Sequence, residues 1–108
     1  MKRILFFVAL PACVVILVSC ETSLKSAPPV TAAFVRADRS GKADAQTLEA
    51  GRKVFLNRCI ACHALPDVAH YDSARIPRFV GWMHDRARLT SEQHDALVKY
   101  LLAVKSQL

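Results

Sequence analysis

The pentapeptide C-I-A-C-H at residues 59–63 constrains the fold of this chain more than any other feature. It places two thiols and an imidazole on one short segment. The other two cysteines, Cys13 and Cys20, lie within or directly after an apolar N-terminal run. Residues 45–108, which remain for a folded domain, are few enough that an apolar core alone is marginal and a metal, a cofactor or a disulfide is usually needed. We therefore expect the stabilising group at this pentapeptide.

The C-x-x-C-H spacing is that of covalent c-type haem attachment. Two thiols three positions apart can each add to one vinyl group of the porphyrin, while the next imidazole binds the iron. Three other interpretations stay open: a zinc site, which lacks a second pair of cysteines, a thioredoxin-like dithiol, which lacks a preceding strand, and a disulfide, which leaves His63 unexplained. We expect one haem c bound covalently at Cys59 and Cys62, with His63 as an axial ligand of the iron.

The N-terminus has the residue order of an export signal. Two basic residues precede an apolar run at 4–18, and Ser19 and Cys20 follow it. The run is too short to span a bilayer core of about 30 Å, and Pro11 interrupts it. The tetrapeptide L-V-S-C that ends at Cys20 resembles the lipobox of bacterial lipoproteins. This resemblance implies a signal peptide at 1–19, a lipid on Cys20 and a protein anchored on the periplasmic side of a bacterial membrane, and the alternative is an ordinary signal peptide cut further along.

Residues 20–44 are predicted to form a flexible tether, because they contain Pro28 and Pro29 together with Ser, Thr and Ala and show no sustained apolar period. A flexible chain of this length reaches about 25 to 30 Å. The formal net charge of +6 is spread along the sequence. No basic cluster with interleaved aromatic residues points to nucleic acid. The expected partners are instead the membrane and other proteins.

Two amphipathic helices are predicted on either side of the pentapeptide. The first is capped by Asp44 or Thr47 and extends to about Asn57. Its inward face comprises Leu48, Gly51, Val54 and Phe55. The second begins at a capping box, T-S-E-Q at residues 90–93. Its inward stripe comprises Leu97, Tyr100, Leu101 and Val104.

Gly51 and Phe55 before the pentapeptide, with Leu97 and Tyr100 in the last helix, resemble the crossed terminal helices of class I cytochromes c. The resemblance covers residues 47–104. It implies an all-α, cytochrome c-like fold in which three to four short helices surround one covalently attached haem. In that family a glycine lets an aromatic residue of the C-terminal helix approach its backbone, a role that the resemblance gives to Gly51 against Tyr100.

The second axial ligand is expected to be Met83, because class I cytochromes usually place a methionine opposite the histidine. Met83 lies in the segment R-F-V-G-W-M-H-D-R-A-R-L-T, which is similar to the W-x-x-V-V-x-R-M segment of some compact cytochromes. The two segments differ at the tryptophan, since Trp82 directly precedes the methionine here. The alternatives are His70 as the sixth ligand or an open coordination site.

Helical periodicity independently predicts that Met83 points inward. Pro77 suits the first turn of a helix. The face that follows at 3.6-residue spacing comprises Phe79, Val80, Met83 and Ala87. His84 is turned about 100° away from that face and is expected to be exposed. His94 is also expected near solvent, at the start of the last helix.

Five further residues have weaker roles as candidates. Trp82 is expected either to cover one edge of the haem or to belong to the core. Three further side chains are expected either to bind the haem propionates or to lie on a solvated loop: Tyr71, Arg75 and Arg78. Pro66 resembles the proline that supports the proximal histidine in the family.

An iron with both His63 and Met83 as ligands has no vacant position for a substrate. We therefore predict a one-electron carrier that exchanges electrons with redox partner proteins, and no enzymatic activity. Paired carboxylates, a Ser-His-Asp set and a metal-water site are all missing from the sequence pattern. The alternative is a five-coordinate haem sensor or peroxidase-type protein, in which Met83 is only a core residue.

Overall fold

The computed structural model describes residues 26–41, 43–59 and 66–108. Within these ranges the chain is all-α, as predicted, and contains no strand. The α-helices are α1 (Ala32–Ala37), α2 (Ala45–Val54), α3 (Ile76–Met83) and α4 (Ser91–Ser106). A π-helical segment, Phe55–Cys59, continues α2, and a short 3-10 turn, Val68–His70, precedes α3. No helix in the described part of the chain has both the length and the apolar character that crossing a membrane requires.

Helix α2 begins at Asp44, one of the two predicted caps. The Asp44 carboxylate accepts a hydrogen bond of 2.8 Å from the backbone N–H of Thr47. This bond holds the pKa of Asp44 below its usual value. The four residues predicted for the inward face are all buried. The helical backbone continues beyond Asn57 to Cys59, because the last five residues adopt the wider π-helical turn.

Helices α2 and α4 touch backbone to backbone at Gly51. A Cβ atom at Gly51 would collide with the carbonyl oxygen of Ala96 and would lie 2.6 Å from the Cβ of Tyr100. Tyr100 is fully buried, and its ring centroid lies 6.2 Å from that of Phe55. The predicted reason for a glycine at this position, the close approach of Tyr100, is confirmed.

Helix α4 begins at the predicted capping box. The Thr90 hydroxyl accepts a hydrogen bond of 3.1 Å from the Gln93 backbone N–H, and the Gln93 side-chain oxygen accepts one of 3.0 Å from the Thr90 N–H. The predicted inward stripe is buried in full. The starts of α2 and α4 were therefore predictable from the sequence.

The N-terminal segment 26–41 differs from the flexible tether that the sequence predicts. Thr31 caps α1 by accepting a hydrogen bond of 3.1 Å from the Phe34 N–H. Phe34 is buried, and its ring stacks on Tyr100 with centroids 5.9 Å apart. The Tyr100 hydroxyl donates a hydrogen bond of 2.8 Å to the carbonyl oxygen of Pro28. Phe34 docks on an aromatic surface, and Ala27, which is fully buried, adds a second apolar contact to the core.

Further hydrogen bonds join this segment to α2 and α4. The Arg52 side chain donates to the carbonyl oxygen of Ala27 at 3.2 Å. Near the end of α4, the Ser106 hydroxyl donates to the Asp38 carboxylate at 3.2 Å and accepts from the Arg39 N–H at 3.1 Å. Residues 26–41 are thus part of the folded unit, which starts before the predicted boundary at Ala45.

Helix α3 packs against α4 through its buried residues, Ile76 and Val80. Pro77 lies in the first turn, as predicted. The helix ends at Met83, and the connection to α4 includes Arg88 at a φ of 52°. Ala87 therefore lies beyond the helix, on the turn rather than on the predicted helical face.

Candidate cofactor site

Cys59 is the last residue of the π-helical segment that follows α2. Its side chain is half-buried and packs against the hydrophobic core. The start of the pentapeptide therefore continues the helical segment that crosses α4 at Gly51. Cys62 and His63 lie outside the described residues, as does Cys20.

Met83 is the last residue of α3 and is half-buried. Val80, one turn earlier, is 1% exposed. The predicted inward side of α3 thus faces the core at Val80 and is only partly covered by protein at Met83. The Met83 thioether therefore keeps some exposed surface, which a bound ligand can contact.

A groove of about 250 Å³ lies along α3. It is lined by Tyr71, Arg75, Arg78, Phe79 and Trp82. The rings of Tyr71 and Phe79 lie 5.1 Å apart and form one wall. Trp82 is 73% exposed, which excludes the core role that the sequence left open for it. The structure therefore brings together the three propionate candidates and the exposed tryptophan.

The chemistry of this groove fits a flat apolar group that carries carboxylates. Two guanidinium groups and one phenol can bind carboxylates by charge-assisted hydrogen bonds. The aromatic walls and the exposed indole offer apolar area that a planar ring would cover. A haem has both properties, so the side chains present on α3 and on the turn before it are compatible with one.

His70, the alternative sixth ligand, lies in the 3-10 turn. Its side chain is 80% exposed, and Nδ1 lies 3.0 Å from the Asp67 carboxylate. Pro66 is half-buried, and the histidine that it was expected to support is outside the described residues.

His84 and His94 differ from their predicted exposure. Both are half-buried, and their Nδ1 atoms lie 3.1 Å apart. Periodicity predicted the direction of His84, and the exposure of His94 was predicted from its place at the start of the last helix. Neither argument predicted the contact between them, which the turn between α3 and α4 produces. The sequence indicated this contact only through the few residues between the helix that contains Met83 and the capping box of the last helix.

Within the described ranges, no group of three or more His, Cys, Asp or Glu residues is arranged to hold a metal ion. No protein-family model, curated protein or solved structure matches this chain. The interpretation of the site depends on the residues and the packing described above.

Proposed function

We propose that this protein is a one-electron carrier with a single haem c attached through Cys59 and Cys62. His63 and Met83 would hold its iron. The observation that carries the proposal is the C-I-A-C-H segment directly after a helix that crosses the last helix at a glycine. When bound, the haem supplies an Fe(II)/Fe(III) couple whose potential an axial methionine raises relative to a second histidine.

The residues of this chain hold and shield that group. Cys59 lies at the end of the helical segment that continues α2, and Gly51 allows α2 to pack closely on α4. Helix α3 carries Met83 on one side and presents Arg75 and Arg78 to the groove. In this arrangement the guanidinium groups neutralise the propionates, and Trp82 covers apolar ring surface.

We propose electron transfer rather than catalysis because Met83, as a second ligand, would fill the position at which a substrate could bind the iron. The five-coordinate alternative, a sensor or peroxidase-type protein, requires that position to be open. Carbon monoxide distinguishes the two, since it binds rapidly to a ferrous iron with a vacant position.

The proposed location is the periplasmic side of a bacterial membrane, with the chain anchored by a lipid on Cys20. It rests on the apolar run and the L-V-S-C tetrapeptide. The proposed partners are a redox donor and a redox acceptor at that membrane.

The first experiment uses cysteine variants of the full chain, expressed in a host that attaches haem c. The expected wild-type product is red, with an intact mass higher than the polypeptide by one haem. Cys59→Ala and Cys62→Ala should each lose stable attachment. Cys20→Ser is the matched control. This variant should keep the haem, but without the lipid it should no longer be found in the membrane fraction. A colourless wild-type product with the mass of the polypeptide would refute the proposal.

The second experiment tests the sixth ligand. Ferric His/Met cytochromes of this family show a weak charge-transfer band in the far red. Met83→Leu should abolish the band and allow the ferrous protein to bind carbon monoxide. His70→Ala, the matched control, should change neither. If the band survives in Met83→Leu, Met83 is not a ligand of the iron.

A further inference from the structure

A second groove, of about 370 Å³, lies at the turn that joins α3 to α4. Its lining residues are Gly81, His84, Asp85, Ser91 and His94. The two histidine rings meet edge to face, with centroids 5.1 Å apart. Neither histidine has a role in the proposed electron carrier. The cluster therefore needs its own explanation.

The backbone on both sides of the pair is fixed. The carbonyl oxygen of His84 accepts a hydrogen bond of 3.1 Å from the N–H of Leu89, which is buried. The N–H of His94 donates to the carbonyl oxygen of Thr90 at 2.9 Å, within the capped first turn of α4. The two rings thus project from a turn and a helix start that are both hydrogen-bonded in place.

The distance between the rings matches shared metal coordination. Zinc binds a histidine nitrogen at about 2.0 to 2.1 Å, so two nitrogens on one tetrahedral zinc lie about 3.3 Å apart. The observed distance between Nδ1 of His84 and Nδ1 of His94 is 3.1 Å. Without metal, a hydrogen bond at this distance requires one ring to carry its proton on Nδ1 and to donate it to Nδ1 of the other. The two Nδ1 atoms are therefore close enough to share one ion once the rings turn so that both lone pairs face it.

We propose that His84 and His94 bind one divalent transition-metal ion, zinc or copper, through their Nδ1 atoms. Imidazole nitrogen is a preferred ligand of both ions. The proton that joins the two rings moves to Nε2 of its own ring, so both rings stay neutral and no proton is lost. The described residues offer no third ligand already in position. Water completes the coordination, together with the Asp85 carboxylate after rotation of its side chain, and the ion is exchangeable.

The test is a zinc titration of the untagged full chain, isolated with its haem, in competition with a chromophoric chelator. One zinc ion per chain is expected. His84→Ala and His94→Ala should each lower the affinity roughly tenfold or more, since even the loss of a group that only orients a ligand costs about that much. His70→Ala is the matched control and should bind zinc as wild type, because His70 lies in a separate, exposed pair with Asp67.

A second measurement distinguishes the loss of a metal ligand from unfolding and from loss of the haem. Cu²⁺ bound to the wild type should show two nitrogen couplings in its electron paramagnetic resonance spectrum, and His94→Gln should reduce them to one. Far-ultraviolet circular dichroism and the visible spectrum of each variant should match the wild type. Absence of stoichiometric binding, wild-type affinity in His84→Ala, or an equal loss in His70→Ala would overturn the proposal. Each of these results leaves the electron-carrier proposal intact.

Discussion

At the scale of single residues, Gly51 sets the distance between α2 and α4. The carbonyl oxygen of Ala96 and the Cβ of Tyr100 occupy the space that a methyl group would need. These neighbours are backbone or the base of a buried side chain, so they cannot move aside without moving a helix. We expect Gly51→Ala to lower the free energy of unfolding by about 2 to 3 kcal/mol, near the upper end for overpacking. Urea denaturation measures the loss.

Gly81 provides the matched control for that substitution. It also lies in a helix, but it is exposed and no atom comes within 4 Å of the position a Cβ would take. Gly81→Ala should raise the free energy of unfolding by about 0.5 to 1 kcal/mol, because alanine loses less backbone freedom than glycine on folding. Equal effects at the two glycines would contradict the close crossing of α2 and α4.

Tyr100 should make the fold sensitive to alkaline pH. Burial raises the pKa of its phenol far above the ordinary value, so the folded state binds the proton more tightly than the unfolded state. This contribution to stability is complete below the unfolded pKa of about 10 and is lost as the pH rises above it. Tyr100→Phe should flatten that decline in unfolding experiments at increasing pH, while costing about 0.5 to 1.5 kcal/mol at neutral pH for the lost bond to Pro28. A decline as steep as in the wild type would exclude Tyr100 as its source.

The role of Gly51 could be predicted because a glycine on a buried helical face costs stability unless a neighbour needs the space. Arg75 and Arg78 were also predicted as candidates, because guanidinium groups can bind the propionates of the expected haem, and the structure places both along one groove. The contact between His84 and His94 was not, because it depends on a turn in which Arg88 adopts a left-handed backbone conformation. Helical periodicity contains no information about such a turn.

At the scale of the elements, the capping box of α4 makes a local contribution that can be measured alone. Thr90 and Gln93 satisfy two backbone N–H groups that the helix itself leaves unpaired. Thr90→Ala should lower the free energy of unfolding by about 1 kcal/mol. Ser91→Ala, one residue further along, makes no cap and should stay within about 0.5 kcal/mol of wild type. Thermal unfolding followed by circular dichroism compares the two, and an indistinguishable pair of midpoints would contradict the prediction.

Helices α2 and α4 were predictable because each combines a capping residue with a continuous buried stripe. The π-helical segment Phe55–Cys59 was not, since an apolar pattern at 3.6-residue spacing does not reveal one additional residue in a turn. Helix α1 escaped prediction for another reason. It has six residues, too few to be stable alone, and it depends on the contact of Phe34 with a residue far along the sequence.

At the scale of the whole molecule, the docked segment 26–41 should detach without unfolding the rest. Phe34 is its main apolar anchor. Phe34→Ala should therefore expose the segment to limited proteolysis, while the protease-resistant core that contains α2 and α4 persists. The loss in stability should not exceed about 3 to 5 kcal/mol, the cost of a large aromatic truncation.

Val35→Ala is the control for this prediction, because Val35 is only half-buried beside the same core. Its cleavage pattern should resemble that of the wild type. Resistance of Phe34→Ala to cleavage within residues 26–41 would show that the hydrogen bonds alone hold the segment.

The docked segment also determines how freely the domain can turn at a bilayer. If Cys20 carries a lipid, only five residues separate the anchor from Ser26, the first of the docked residues. Fully stretched, that linkage spans about 20 Å, so the docked segment stays close to the anchor. The domain would then present a restricted set of orientations to its neighbours, and a membrane-bound partner would meet the same side of it at most encounters.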